Sequence, residues 1–336
     1  MGFLYAMLIF ICAGTMNGSF ALPSKHLQNW SFQRVWLNYS VWAFLIFPCL
    51  LLTLLAPSAW EVYFQAPPTL LMIILAGGFL FAIGQICFSR ALQSIGLSLG
   101  FVINISIGTA LGSLIPLILL HSGEVVTLQG ITTIAGVAII IIGVLFSYIA
   151  GLKRDAGKTN QVSQKGYFLG VFFAVLAGLF SAGQNITFSL TGVLQKQALH
   201  DGISQLVSAN IIWPVFLIAT FIPYSCYMLY LRLKNSATEK NYKSVNYYLA
   251  TLIMGAFWYF SLILYSAASL KIGNLGPVIG WPLFMVCIIM TANMWGWRHG
   301  EWTHAPASAK KLAKLSIFTL VFAILVLSYA AFLSLQ

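Results

Sequence analysis

The sequence predicts an all-α integral membrane protein whose ten transmembrane helices form two inverted five-helix repeats, and three observations carry the prediction. Of the 336 residues, 60% are hydrophobic and only 7% charged, with a mean hydropathy of +0.91. A soluble domain carries about a quarter charged residues, so lipid must be the main solvent of this chain. The apolar residues form ten nearly continuous runs rather than amphipathic stripes. The polar linker GLKRDAGKTNQVSQK divides those runs five and five.

A bilayer core needs about 20 apolar residues per helix. In the first half such stretches fall at 3–22, 35–56, 69–92, 96–120 and 128–150; in the second they fall at 166–190, 204–231, 247–269, 274–296 and 312–334. The domain plan is therefore a first repeat over 1–150, a linker over 151–165 and a second repeat over 166–336. The opening MGFLYAMLIFICAG lacks a basic n-region and leads into a full-length span, so it reads as a retained helix and not a cleaved signal peptide.

Charge sets the orientation. With connectors on alternate sides, Lys25, Arg34, Arg90, Lys153, Arg154, Lys158, Lys165, Arg232, Lys234, Lys240, Lys243, Arg298, Lys310, Lys311 and Lys314 share one side, and only Lys196 and Lys271 fall on the other. The positive-inside rule makes the basic side cytoplasmic, which puts both termini outside and the linker inside. The same distribution explains the net charge of +11: it is spread over connectors and forms no single basic face, so nucleic acid is not an expected partner.

Five spans per half force the second half to enter the bilayer from the opposite side, the plan of an inverted-repeat carrier. Sequence echoes support a duplication. Ala13-Gly14-Thr-Met-Asn17-Gly18-Ser in the first span matches Ala177-Gly178-Leu-Phe-Ser181-Ala182-Gly in the sixth, and SIGLSLGFVI from Ser94 resembles KIGNLGPVIG from Lys271.

Catalysis finds no support. Cys12, Cys49, Cys87, Cys226 and Cys287 stand singly in apolar stretches, the five histidines lie in connectors, and no H-E-x-x-H, G-x-S-x-G or P-loop pattern occurs. No metal and no cofactor are expected.

What the chain binds is constrained by its charge-free interior. All six acids fall in connectors or at span ends, where a mid-bilayer charge would cost roughly 3 kcal/mol. A charged substrate would call for deep cations, and only Arg90 comes close; snorkelling to lipid accounts for it. A neutral, hydroxyl-rich or zwitterionic small molecule fits better. The candidate ligands for its polar groups are the intramembrane amides Asn17, Gln85, Asn104, Gln184 and Asn185, for each of which interhelical hydrogen bonding is the alternative. Trp258, Tyr259, Tyr265 and Trp281 lie away from the interfacial belts and offer ring faces suited to sugars, with core packing as the alternative. Trp281 is flanked by Gly276, Pro277, Gly280 and Pro282, so its helix should be kinked, with freed backbone groups that must face protein or a wet cavity. Small residues at Gly100, Gly108 and Gly112 around Asn104, and at Gly170, Ala174 and Gly178, predict closely packed helices.

At ALPSKHLQNWSFQRVW, after the AG-x-x-NGSF end of the first span, the chain resembles the L-rhamnose-proton symporter family of the drug/metabolite transporter superfamily. GGFLFAIGQICFSRALQSIGLSLG, AGLFSAGQN and the stretch from WYF through GWPLF to WRHGEW extend the resemblance over most of the chain. It implies ten helices in two inverted halves, a multi-pass protein of the inner membrane, and a cavity walled by the first, third, fourth, sixth, eighth and ninth helices. Asn17, Gln85, Asn104, Gln184, Asn185, Trp258, Tyr259, Tyr265 and Trp281 map to those walls. The implied activity is secondary transport of a sugar such as L-rhamnose by alternating access, with a proton or a sodium ion as the coupling partner. One departure stands out: an acidic residue precedes the ninth-helix Trp in the enterobacterial carriers, whereas this chain reads GNLGPVIGW. The rival transport readings are an exporter of amino acids or other metabolites and an uncoupled sugar facilitator; a membrane-embedded enzyme or a sensor are the rivals of another class.

Overall fold

A computed structural model describes residues 2–154, 164–234 and 244–335. Most of the predicted linker, including Asp155 and Lys158, lies outside the described residues, as do Glu239, Lys240 and Lys243. Among the described residues ten helices are long and apolar enough to cross a membrane: α1 (Phe3–His26), α2 (Phe32–Leu55), α3 (Pro68–Ile95), α4 (Leu99–Leu120), α5 (Leu128–Arg154), α6 (Gly166–His200), α7 (Gln205–Lys234), α8 (Val245–Ile272), α9 (Gly276–Arg298) and α10 (Ala307–Leu333). Five precede the linker and five follow it, each close to its predicted bounds.

The largest difference is in α6, which runs ten residues past the predicted end. Its helix pauses at Thr191, whose hydroxyl donates to the Thr187 carbonyl at 2.7 Å, and resumes over Gly192–His200. That last segment carries Gln195, Lys196 and Gln197, so hydropathy stops short of it. Leu194 and Ala198 are nevertheless fully buried, and the Gln195 amide reaches the Ala209 carbonyl at 3.4 Å.

Small residues decide which helices meet. The chain doubles back between α3 and α4, so that a Cβ on Gly100 would lie 3.2 Å from Leu92. The α3–α4 pair receives α6 through glycines on both sides: a Cβ on Gly178 would stand 2.7 Å from Ile107 and one on Gly84 2.9 Å from Phe180, distances no side chain could tolerate without movement. On the opposite wall α1 meets α9, where a Cβ on Gly18 would stand 2.7 Å from Thr291. Helices α5 and α10 pair with each other at one flank, with the Ser316 hydroxyl donating to the Gly143 carbonyl at 2.7 Å.

Proline places the polar groups that tie this bundle together. Within a helix Pro cannot donate to the carbonyl four residues back, and in lipid that carbonyl needs another partner. Pro282 in α9 frees the Val278 carbonyl, which accepts from the Ser113 hydroxyl of α4 at 2.6 Å. Pro116 in α4 frees the Gly112 carbonyl, which accepts from Asn185 of α6 at 2.7 Å. In α2 the turn widens to a π-helix over Val41–Ile46, just ahead of Pro48. Helix α9 runs unbroken through Trp281 over Gly276–Arg298, and the backbone group freed by Pro282 is answered by a neighbouring helix.

Candidate substrate cavity

Helices α1, α3, α4, α6, α8 and α9 enclose a cavity of about 310 Å3, at the small end of the range for ligand pockets. Six of the predicted residues line it: Asn17, Gln85, Asn104, Gln184, Trp258 and Trp281. They arrive by helical spacing. Phe81, Gln85 and Phe88 fall at i, i+4 and i+7 on α3, Phe101, Asn104 and Gly108 at i, i+3 and i+7 on α4, and Ser181 and Gln184 at i and i+3 on α6.

The amides arrive with hydrogen-bonding capacity to spare. Asn17 donates to the Ser261 hydroxyl at 2.8 Å, and that hydroxyl in turn donates to the Trp258 carbonyl at 2.6 Å; this orients Asn17 while its Oδ1 has no donor among the described residues. Asn104 accepts from Ser181 at 3.2 Å through Oδ1, which leaves its amino group available. The buried Nε2 of Gln184 has no partner among the described residues. That amino group has no accessible surface, so it meets a solute only if the side chain turns, and left unpaired it costs about 1–3 kcal/mol. Trp281 uses its indole N–H on the Gly108 carbonyl at 3.0 Å, so its ring and not its donor serves the cavity. Trp258 is held edge-on by Phe44, with ring centroids 5.0 Å apart.

None of the residues lining this cavity is ionisable. The remaining wall is apolar, with Phe81, Phe88, Phe101, Leu262, Phe284 and Met285. Sequence reasoning missed these and Ser181 as site residues. Their signal was the spacing just described around each amide, which intramembrane apolar residues, being everywhere, do not advertise.

Asn185, Tyr259 and Tyr265 do not line the cavity, and each has a physical reason. Asn185 is fully buried and spends its amino group on the carbonyls of Gly112 and Pro277, at 2.7 and 2.9 Å, while its Oδ1 accepts from the Tyr265 hydroxyl. It answers the carbonyl that Pro116 frees. Tyr265 lies seven residues after Trp258 and so on the same face of α8, but two turns further along, one layer beneath the cavity. There its ring meets Trp281 at 5.7 Å and Phe284 at 5.1 Å. Tyr259, about 100° round the helix from Trp258, turns towards α2 and lies parallel to Phe47 at 6.5 Å.

The Tyr265, Trp281 and Phe284 layer, with Phe188 stacked on Trp213 behind it, closes the cavity towards the connectors that carry Lys196 and Lys271. Towards the basic connectors the cavity adjoins a 220 Å3 void, with Phe101 and Ala292 common to both and Arg154 and Glu301 in its wall. Glu301 takes Lys25 at 3.4 Å and Arg154 at 3.2 Å, tying three basic-side elements. Exposed pairs of this kind are worth under about 1 kcal/mol each. Arg90, at the same end, donates from Nε to the Tyr227 hydroxyl at 2.6 Å instead of reaching the cavity. On the opposite side, burial lowers the His121 pKa, with Glu124 opposing the shift and Lys196 adding to it.

The family of L-rhamnose-proton symport proteins (RhaT) matches this chain over residues 1–332. The chain belongs to that family. It is similar to the L-rhamnose-proton symporters of Yersinia pestis (strain Pestoides F) and Yersinia pseudotuberculosis serotype O:3 (strain YPIII), at 27% identity over 314 residues covering 90% of each chain. The family is one of symporters, so the chain is a multi-pass membrane transporter and not an enzyme. Membership also favours sugar transport over the exporter reading.

Proposed function

We propose that the chain is a proton-coupled carrier of a small neutral deoxysugar, with L-rhamnose as the first candidate, and that Asn17, Gln85, Asn104, Gln184, Trp258 and Trp281 contact it. One observation carries the substrate side of this reading, a cavity of monosaccharide scale that holds amide groups with unspent hydrogen-bonding capacity and no charge; proton coupling rests on the family. A 6-deoxyhexose asks for both kinds of wall. Its hydroxyls need donors and acceptors, and its methyl group and C–H faces need ring and aliphatic surface.

Alternating access follows from the plan of two five-span halves, 1–150 and 166–336, related by inversion. With the basic side cytoplasmic, both termini lie outside, the protein resides in the inner membrane, and the cavity described above is the inward-accessible state. A reporter fused to the C-terminus should be active outside; activity in the cytoplasm overturns this orientation.

Flux in proteoliposomes tests the function. Labelled L-rhamnose should accumulate above its external concentration when the exterior is acidified, and a protonophore should abolish the accumulation. Equal uptake with and without the gradient would overturn symport in favour of facilitation, accumulation driven by a sodium gradient would replace the proton, and absence of L-rhamnose flux would overturn the substrate.

A further inference from the structure

A larger void lies away from the centre of the bundle: a groove of about 660 Å3 between α1, α9 and α10. Its deep end is made by Ile11, Cys287 and Ile324, and its other end by Trp297 and Lys314. Ten residues separate Cys287 from Trp297 along α9, and ten separate Ile324 from Lys314 along α10, so the groove is about 15 Å long. That is half of the ~30 Å hydrocarbon core, the depth of one leaflet. Helix α9 ends and α10 begins on the basic side, which places Lys314 at the surface of that leaflet. Ile11 and Met294, 47% and 52% exposed, open the groove sideways to lipid.

The chain itself does not answer the charge at the head of the groove. Lys310 donates to the Thr303 carbonyl and Lys25 pairs with Glu301, but Lys314 has no hydrogen bond or ion pair among the described residues. An apolar channel one leaflet deep that ends in an unanswered cation is complementary to one acyl chain and the phosphate of an acidic lipid. We propose that this groove is a specific seat for an anionic glycerophospholipid of the basic-side leaflet. Cys287 and Thr291, which line it, are also the residues against which Gly14 and Gly18 of α1 pack. The seated chain therefore borders the contact between two helices that also wall the central cavity.

The test uses the purified full chain, delipidated and returned to phosphatidylcholine or phosphatidylglycerol, with bound lipid counted by native mass spectrometry and stability read by thermal unfolding. Phosphatidylglycerol should bind more tightly and raise the unfolding temperature more. Lys314→Gln should weaken phosphatidylglycerol binding about five-fold, the worth of one cation at an anionic surface, and leave phosphatidylcholine binding unchanged. Lys311→Gln, one residue away in sequence, should change neither. Ile324→Trp, which fills the deep end, should reduce retention of both lipids. Equal preference for the two lipids in the native chain, or equal effects of the two lysine substitutions, would overturn the proposal. Because Lys314 is exposed, its variant should unfold in phosphatidylcholine at the native temperature, which separates lost binding from lost folding.

Discussion

Replacing Gly112 with alanine is expected to reduce transport at least about ten-fold and to destabilise the protein by roughly 2–4 kcal/mol, the sum of overpacking and one lost hydrogen bond. A Cβ at this position would fall on the indole of Trp281, 2.8 Å from its Cδ1. That ring cannot step aside. It is 1% exposed, wedged between Tyr265 and Phe284, and held by its N–H on the Gly108 carbonyl. The Gly112 carbonyl also accepts from the Asn185 amino group, so displacement strains the tie between α4 and α6 as well. Thermal unfolding and uptake should fall together. A fully active Gly112→Ala protein would show that the α4–α9 contact is looser than described.

Trp258→Ala is expected to raise the KM for L-rhamnose about thirty-fold, the equivalent of ~2 kcal/mol for an aromatic face lost from a ligand. The effect is geometric as well as adhesive. Trp258, with Phe20, Gln85 and Phe88, stands between the central cavity and a neighbouring 130 Å3 void, so truncation joins the two and leaves the sugar unconfined. Tyr265→Phe supplies the contrast. Its hydroxyl makes the Asn185 tie, and hydrogen bonds between membrane helices average about 0.6 kcal/mol; the unfolding temperature should fall slightly while KM stays put. A Tyr265→Phe protein with a KM shift as large as that of Trp258→Ala would move the substrate into the aromatic layer beneath the cavity.

The contrast between these two aromatics shows what was legible beforehand. The ten spans were legible because each is a long apolar run, and the α6 extension was not because its end is polar on one face. The cavity walls followed from intramembrane amides, since an amide in lipid must serve either a neighbour or a solute. Choosing between those two fates needed the backbone. Gln184 and Asn185 are consecutive, yet one lines the cavity and the other is consumed by carbonyls of α4 and α9. Pro116, four residues after Gly112, was the clue to the second, because it announces a carbonyl in need of a donor. Tyr259 was separable from Trp258 by the 100° turn between helical neighbours. Pairing of α5 with α10, and the lateral groove beside α10, depend on tertiary packing that no single span reveals.

The most direct test of the central claim, that a neutral sugar occupies the amide-lined cavity, is substrate protection of a thiol placed in its wall. Met285 lines the cavity without making any of the hydrogen bonds described, so Met285→Cys, in a chain whose Cys12, Cys49, Cys87, Cys226 and Cys287 are replaced by serine or alanine, reports occupancy without removing a polar contact. With transport retained, L-rhamnose should slow modification by a small charged thiol reagent, half-maximally at the concentration that half-saturates uptake. A modification rate unchanged at saturating L-rhamnose in a transporting protein would place the sugar elsewhere and contradict the account.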